Sequence, residues 1–446
     1  MKVSIVVVCH DRYALASNCI KNILCHTVNP FELVLLDNGS KDRQIQLLFE
    51  EVAGLHKETR LLRLEKNIGS GPGRAYAFAH TSGDVLITLD SDTQVTTGWD
   101  VPLIDRLFAK KETAAVGALL VNADGRVHSL GGTHHNIGDK HILLKELSSG
   151  YRFTDPELRS RQFQPTWLPS GAMAIKASCY SRVQFPSDRF FNCLIDANYC
   201  FELTKAGYKL DVSPESIVYH LPNTDTGEEA KAYHRMRFDN AVLCQSILYF
   251  MDAWGRNPML SWDCLNRLVN EPLTVKQGDC LIEQVRSFLQ ARNGISSNGS
   301  YRLYSLDLIA EYLRSINAKM RNGRPQNEIN FIRDAADLSA RYGSLLVWGL
   351  GAGGRRAAEA LTRAGIRWRG FIDSDRRYAG TYHGERMVFW ADNILAQKTR
   401  APIVLASSYV AELYRRLVDV GRFEGDDFIV APVHALADPH SQATTL

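Results

Sequence analysis

Four short runs of apolar residues recur in the N-terminal part of the chain, and polar residues follow each of them. They are Val3 to Val8, Leu33 to Leu36, Leu61 to Leu64 and Val85 to Leu89. Continuous apolar character is typical of strands that are buried on both faces of a parallel sheet. One helical stripe lies between the first two runs, formed by Leu15, Cys19, Ile20, Ile23 and Leu24. With a second helix predicted from Arg74 to His80, the alternation predicts an α/β fold with a parallel sheet.

Size and composition limit the classes of protein to consider. A chain of 446 residues should hold two or three domains, and 45% hydrophobic and 23% charged residues are ordinary for a soluble globular protein. The net charge of +3 argues against a dedicated nucleic-acid binder. No run approaches the ~18 apolar residues of a membrane span, and Met1-Lys2 leads directly into a strand rather than a signal peptide. Nine cysteines without metal-ligand spacing are interpreted as reduced core thiols of a cytoplasmic protein.

The pattern divides the chain into three parts. Residues 1–262 form the first α/β domain, and its stretch from about 112 shows only short strands and turn signals. Residues 263–340 are a helical connector, with helices predicted over Cys280 to Leu289, Leu306 to Ile316 and Asn327 to Tyr342. Residues 341–440 form a second α/β unit of Rossmann-like pattern, and a polar tail follows.

Polar clusters follow the strands of the first domain, and parallel strands bring such clusters to one edge of a sheet. The clusters are Cys9 to Arg12, Asp37 to Asp42, Asn67 to Arg74 and Asp90 to Asp92. Asp90 and Asp92 lie on one side of an extended chain and offer two oxygen ligands that suit Mg or Mn. Asp37 can accept hydrogen bonds from a base or ribose, and the glycines before Arg74 allow a phosphate to approach the backbone. For the Asp90 and Asp92 pair, the alternative is an ordinary solvated turn. For the segment Asn67 to Gly73, the alternative is an ordinary tight loop.

In this order, several segments resemble the inverting GT-A glycosyltransferases of the second family. The resemblance covers about residues 1 to 260 and is carried by VSIVVVCHDR, ELVLLDNGSKD, NIGSGPGRAYAFAHTSGDVLITLDSDTQV, LPSGAMAIKASCY, FFNCLIDANYCFELTKAGYKL, VSPESIVYH and MDAWG. It implies a GT-A fold and transfer of a sugar from a nucleotide diphosphate-sugar donor. It specifies neither the sugar nor the acceptor.

The resemblance also implies roles for single residues. Asp11 and Asp37 would hold the nucleoside, Arg74 would lie near the uracil or phosphate, and Asp90 would contact the ribose or the metal. Asp92 and His220 would bind the metal, Mn or Mg.

Asp196 takes the place of the general base that deprotonates the acceptor hydroxyl, in a single inverting displacement. The chain departs from the family's Glu-Asp-x-Asp pattern, because Ile195 replaces the Glu and Asn198 replaces the last Asp. A lone Asp at this place could otherwise be a helix N-cap. His134 and His135 are expected in a loop near the acceptor rather than as metal ligands.

The second α/β unit carries a glycine-rich turn between a strand and a helix. Gly349, Gly351 and Gly354 fit G-x-G-x-x-G, and Asp373 follows Gly354 by 19 residues, as in dinucleotide-binding units. Three interpretations stay open for this unit: a structural or docking module, a nucleotide-sugar site, and an NAD site.

Together these features predict a metal-dependent glycosyltransferase of glycan or glycoconjugate biosynthesis. Its expected partners are a nucleotide-sugar donor and a glycan or glycoconjugate acceptor, with no nucleic acid. It is expected in the cytoplasm, with peripheral association at the inner face of a membrane and homo-oligomerisation through the C-terminal domain as further expectations. The alternatives are a bifunctional protein with NAD-dependent sugar chemistry in its C-terminal half, and a non-catalytic binding scaffold with the GT-A fold.

Overall fold

A computed structural model describes residues 1–148, 151–221, 231–232, 235–236, 239–258, 275–292, 294–298, 301–322, 324–397, 401–407 and 410–432. The chain divides into two compact units. The first comprises Met1–His135, Leu144–Gly255 and Ser296–Leu303, and the second Asn136–Leu143, Arg256–Ile295 and Tyr304–Leu446. No helix of the described residues is long and apolar enough to cross a lipid bilayer. The predicted boundaries at 262 and 340 stay a prediction.

The strands up to residue 220 build one large sheet and a hairpin. They are β1 Val3–Cys9, β2 Phe31–Asn38, β3 Thr59–Leu64, β4 Val85–Asp90, β5 Thr93–Val95, β6 Thr113–Val121, β7 Val127–Ser129, β8 Gly132–Ile137, β9 His141–Glu146, β10 Ala172–Lys176 and β11 Lys209–His220. The nine-stranded sheet has the order β3-β2-β1-β4-β10-β6-β11-β5, with β7 paired to β6, while β8 pairs with β9. Strands β1, β2, β3 and β4 are parallel to one another, whereas β10 runs antiparallel between β4 and β6. The mixed α/β architecture with a parallel-rich sheet confirms the predicted fold class and is consistent with a GT-A fold.

Helices cover this sheet because their apolar stripes pack on its two faces. They are α1 Tyr13–His26, α2 Arg43–Leu55, α3 Ser70–Phe78, α4 Asp100–Phe108, α5 Glu157–Ser160, α6 Ala177–Tyr180, α7 Ile195–Lys205 and the helix Asn240–Trp254. The main core joins the apolar strand residues to α1, α2 and α4. The stripe predicted for the first helix is confirmed, since Cys19, Ile20 and Ile23 are buried in this core.

Three expectations about this region are wrong. Leu61 is 40% exposed because β3 is the edge strand and is covered on one side only. The stretch after residue 112 holds β6, which is buried along its whole length, and β11, which spans 12 residues. Among the described cysteines, Cys25 and Cys280 are exposed rather than core thiols.

The second unit contains a six-stranded sheet with the order β16-β17-β15-β14-β18-β19. The strands are β14 Leu345–Trp348, β15 Trp368–Asp373, β16 Tyr382–His383, β17 Arg386–Trp390, β18 Ile403–Leu405 and β19 Phe428–Val430. All neighbours in this sheet are parallel except β16 and β17. The remaining helices are Val275–Ala291, Leu306–Asn322, Arg324–Tyr342, Ala352–Arg363, Ala391–Leu395 and Val410–Asp419, and β12 Ile295–Asn298 pairs with β13 Tyr301–Tyr304. The strand and the helix predicted on either side of the glycine-rich turn are therefore present, as β14 and the helix Ala352–Arg363.

Adjacent leucines of α2 test how the sheet is covered. Leu48 is 2% exposed and belongs to the main core, whereas Leu47 is 52% exposed. Leu48→Ala should lower the free energy of unfolding by about 2–5 kcal/mol, because it removes a packed side chain and leaves a cavity. Leu47→Ala is the matched control and should cost less than about 1 kcal/mol. Urea unfolding at equilibrium measures both, and equal losses would contradict the packing described for α2.

Candidate functional site

The end of β1 adopts a strained backbone conformation. Asp11 and Arg12 are consecutive non-glycine residues with φ of 51° and 58°. Each such residue costs on the order of 1–3 kcal/mol and is found where the surroundings hold it in place. Asp11 Oδ1 accepts hydrogen bonds from the backbone N–H groups of Lys41 (2.7 Å) and Asp42 (3.0 Å). The Asp11 carboxylate therefore ties the loop after β2 to the end of β1.

Asp37 lies at the end of β2 and is buried. Its Oδ1 accepts a hydrogen bond from the Ser40 N–H at 2.8 Å. Its buried Oδ2 makes no hydrogen bond to any described residue, although Arg63 Nε lies 3.7 Å away. One oxygen of Asp37 thus shapes the loop, and the other is left for a further donor.

Two ion pairs hold the carboxylates at the end of β4. Arg12 Nη1 lies 3.3 Å from Asp92 Oδ2, and both side chains are buried. The buried Arg74 guanidinium pairs with Asp90 Oδ1 and donates from Nε to Thr88 Oγ1 at 2.9 Å. Breaking a buried pair leaves a charge without compensation, which costs about 3–5 kcal/mol. Each arginine therefore fixes the orientation of one carboxylate.

The second oxygen of each carboxylate faces His220 at the end of β11. His220 Nε2 lies 3.3 Å from Asp92 Oδ1 and 3.9 Å from Asp90 Oδ2. One ligand atom from each of the three side chains lies within 4.8 Å of the others. The predicted metal residues Asp92 and His220 thus come together with Asp90, which was predicted to bind the donor or the metal.

This donor set fits a hard divalent cation. His220 is 6% exposed, and neither ring nitrogen makes a hydrogen bond to a described residue. The ring packs edge-on against His128 at 4.7 Å between centroids. Two carboxylates and one imidazole suit Mn²⁺ or Mg²⁺, and a cation would give the buried imidazole the partner that it lacks.

Asp196 lies in the first turn of α7, which follows Leu194 at a φ of 64°. Ser170 Oγ donates a hydrogen bond to Asp196 Oδ1 at 2.6 Å. Burial raises the pKa of Asp196, the positive charge of Arg74 and the Ser170 hydrogen bond oppose this rise, and the negative charge of Asp90 adds to it. A carboxylate with a raised pKa is a stronger base than an ordinary aspartate.

Ile195 and Asn198, the two residues that depart from the family pattern, both contact other parts of the structure. Ile195 is buried and packs against α3, since a Cβ added at Gly71 would lie 1.8 Å from Ile195 Cδ1. Asn198 is also buried, and its Oδ1 accepts a hydrogen bond from Trp254 Nε1 at 3.0 Å. A carboxylate at position 195 would be buried against the start of α3, so the isoleucine suits its surroundings.

The glycine-rich segment before Arg74 packs against the protein itself. Gly69 has a φ of 96°, and a Cβ there would lie 2.3 Å from the Phe191 carbonyl oxygen. The Ser70 N–H also donates to that oxygen at 2.7 Å. Close contact with the segment before α7 thus accounts for Gly69 and Gly71, and Arg74 is engaged by Asp90 and Thr88.

His134 and His135 lie on β8, so the expectation of a loop is wrong. His134 Nδ1 lies 2.9 Å from Thr166 Oγ1, and its ring packs against Phe201. His135 is exposed. Alternating directions along the strand separate the two rings.

The second unit places its four predicted residues at the carboxyl ends of β14 and β15. Gly349 has a φ of 131°, and a Cβ at Gly354 would lie 1.8 Å from the Gly349 carbonyl oxygen, so the tight turn itself requires both glycines. A Cβ at Gly351 meets no atom within 4 Å. Asp373 Oδ1 accepts the Asp375 N–H at 2.7 Å. A ligand-binding role for these residues stays a prediction.

Sequence reasoning left Arg12 and Ser170 without a role. Arg12 stands in the cluster after β1, and Ser170 stands in the LPSGAMAIK motif, so both were visible as polar residues beside a strand. Their partners Asp92 and Asp196 are 80 and 26 residues away in sequence. Only the folded sheet brings these groups together.

Ser170 provides a test of the electrostatics at Asp196. Ser170→Ala removes a hydrogen bond to the charged carboxylate, so the pKa of Asp196 should rise further. A ¹³C NMR titration of the carboxyl groups measures this change. Ser178→Ala, at an exposed position, is the control and should leave the pKa of Asp196 unchanged. A pKa that stays constant or falls in Ser170→Ala would contradict the described hydrogen bond.

The N-terminal half of the chain is similar in sequence to known glycosyltransferases. Residues 4–175 match the family model described as glycosyl transferase family 2. The O-antigen chain rhamnosyltransferase RfbN of Salmonella typhimurium is 23% identical over 54% of this chain and 72% of its own length. The y4gI protein of Sinorhizobium fredii is 24% identical over 54% of this chain, but the match spans only 26% of that protein.

Among solved structures, the mannosyltransferase PcManGT from Pyrobaculum calidifontis, in complex with GDP-Man and Mn²⁺, is 16% identical. It covers 56% of this chain and 64% of its own, with a TM-score of 0.40. The family match covers β1 to β10, and with them the ends of β1, β2 and β4. The comparisons therefore relate the N-terminal part of this chain, residues 4–175, to the glycosyl transferase family 2 model and support a glycosyltransferase.

Proposed function

We propose that the chain transfers a sugar from a nucleoside diphosphate-sugar to a hydroxyl acceptor, with inversion and in a cation-dependent manner. The observation that carries this proposal is the cluster of Asp90, Asp92 and His220 at the edge of the sheet, inside or beside the family 2 domain. When bound there, Mn or Mg would neutralise the donor diphosphate and stabilise it as a leaving group.

Each residue around this cluster would have a separate role in donor binding. Arg12 and Arg74 hold Asp92 and Asp90 so that one oxygen of each stays directed at the cation position. Asp37 keeps a buried oxygen for an N–H or O–H group of the nucleoside. Asp11 holds the loop that follows β2, which would line the same nucleoside.

Asp196 would remove the proton of the acceptor hydroxyl as the bond between sugar and phosphate breaks. Ser170 holds Asp196 Oδ1, so the other oxygen, Oδ2, can receive the proton. The reaction is one displacement, and it inverts the configuration of the transferred carbon. Since burial raises the pKa of Asp196, turnover should fall on the acidic side at a higher pH than an ordinary aspartate would give.

Other roles stay secondary proposals. A nucleotide-sugar or NAD could bind at the glycine-rich turn of the second unit, where the side of Gly351 is open. The cytoplasmic location, association with a membrane surface and assembly through the C-terminal unit also stay predictions. A non-catalytic scaffold would bind a donor without turning it over, so hydrolysis of the donor separates that alternative from an enzyme.

The cation site predicts a loss of donor binding on substitution. Asp92→Ala should abolish the Mn-dependent part of UDP binding, because it removes a ligand oxygen and the carboxylate that pairs with Arg12. Calorimetric titration of UDP with and without Mn measures this. Exposed Asp124→Ala is the control for loss of a carboxylate elsewhere. Unchanged Mn-dependent affinity in Asp92→Ala would refute the assignment.

The proposed role of Asp196 as the base predicts a separate effect, on turnover rather than on donor binding. Asp196→Asn keeps the shape of the side chain and removes its basicity, so transfer should fall roughly 10²–10⁴-fold. Affinity for UDP and Mn should change little, because no cation ligand is altered. Rates come from the release of nucleoside diphosphate, measured over a panel of donors. If Asp196→Asn transferred sugar at the wild-type rate, Asp196 would not be the base and would have only a structural role at the start of α7.

A further inference from the structure

A second carboxyl group, Glu146, lies at the end of β9. Ser129 Oγ donates a hydrogen bond to Glu146 Oε2 at 2.5 Å. Ser129 is buried, and its hydroxyl also accepts the Gly131 N–H at 3.2 Å. Across the described chain, this serine is the one hydrogen-bond partner seen for the Glu146 side chain, so Oε1 is available to a ligand.

Glu146 and Asp196 are bound in the same way. In each case a buried serine, Ser129 or Ser170, holds one carboxyl oxygen. No side-chain hydrogen bond reaches Asp196 Oδ2 or Glu146 Oε1 from the residues that the structure describes, while the Ser170 backbone also acts on Asp196. Each carboxyl group is held by a serine hydroxyl through one oxygen and can offer its second oxygen to a ligand with several hydroxyl groups.

The sheet brings the two serines to the same place. Ser129 on β7 is paired with Leu120 at the end of β6. Strand β10 pairs with the same edge of β6 as β7 does, because β11 occupies the other edge. A Cβ at Gly171 would lie 3.6 Å from Leu120 Cδ1 and 3.0 Å from Asp90 Oδ2. Ser170 precedes Gly171, so both serines lie at the same edge of β6, near its end and beside the carboxylates of the donor site.

The two carboxyl groups also influence each other. Burial first, and then the negative charge of Asp196, raise the pKa of Glu146 to about 8, against the Ser129 hydrogen bond. Asp196 in turn is acted on by Arg74 and Asp90. Near neutral pH, Glu146 therefore keeps its proton and can donate a hydrogen bond.

We propose that Glu146 is an acceptor-binding residue: its free carboxyl oxygen hydrogen-bonds a second hydroxyl of a sugar or polyol acceptor whose reacting hydroxyl is held by Asp196. This inference rests on the proposed function and adds the class of acceptor, a molecule with neighbouring hydroxyl groups.

Steady-state transfer to a panel of methyl glycosides tests this, with UDP-glucose, UDP-N-acetylglucosamine and GDP-mannose as donors. Glu146→Ala should raise the KM for the acceptor by about 10-fold or more, the value of one hydrogen bond in a desolvated site. Glu146→Gln keeps a donor group and should stay near the wild-type KM. Exposed Glu157→Ala is the control. UDP affinity with Mn, measured by calorimetry, should be the same in all four proteins.

A pH profile separates acceptor binding from a structural role. The wild-type KM for the acceptor should rise as the pH passes about 8, because Glu146 then loses the proton that it donates. Glu146→Gln should show no such rise. An unchanged acceptor KM in Glu146→Ala, or an equal loss of UDP affinity, would overturn the inference while the proposed function stands. If the wild type turned over none of the three donors, that result would contradict the proposed function, and this inference with it.

Discussion

Two buried ion pairs, Arg12–Asp92 and Arg74–Asp90, determine how the site can work. Each arginine takes one oxygen of its aspartate, and the second oxygen is thereby directed at His220. Without the arginines, two carboxylates so close together would repel each other, and one would tend to take up a proton. The strained backbone at Asp11 and Arg12 stands at the end of β1, where Arg12 pairs with Asp92. The ion pairs thus favour the charged form of both carboxylates, as the proposed cation site requires.

A common edge of the sheet links donor and acceptor chemistry. Strands β1, β2 and β4 are parallel and end there, and β10 begins there because it runs in the opposite direction. This arrangement places Ser170 beside Asp90, so the charge of Arg74 acts on Asp90 and on Asp196 alike. The proposed base is therefore coupled electrostatically to the proposed cation site. Serine hydroxyls then orient Asp196 and Glu146 without adding charge.

The sequence predicted those strands and helices whose apolar residues recur at a regular spacing over a few residues. The four apolar runs, the first helix, and the strand and helix around the glycine-rich turn follow from local patterns, and all are present as strands and helices. The long strands β6 and β11 escaped prediction because β6 contains three alanines and a glycine, and β11 contains Pro214 and a shift of register between Ser213 and Ile217. At the site, the cluster of Asp90, Asp92 and His220 could be predicted from motifs. Arg12, Ser170 and Glu146 could not, because their partners lie on distant strands.

The central claim is that one cation is held by Asp90, Asp92 and His220 and that the donor diphosphate shares it. Pulsed electron paramagnetic resonance of Mn²⁺ with UDP tests this most directly, since it detects nitrogen and phosphorus nuclei near the metal. The account predicts a ¹⁴N coupling from an imidazole that disappears in His220→Gln, together with a ³¹P coupling that appears when UDP is added. A spectrum with no ¹⁴N coupling, or one that is unchanged in His220→Gln, would contradict it.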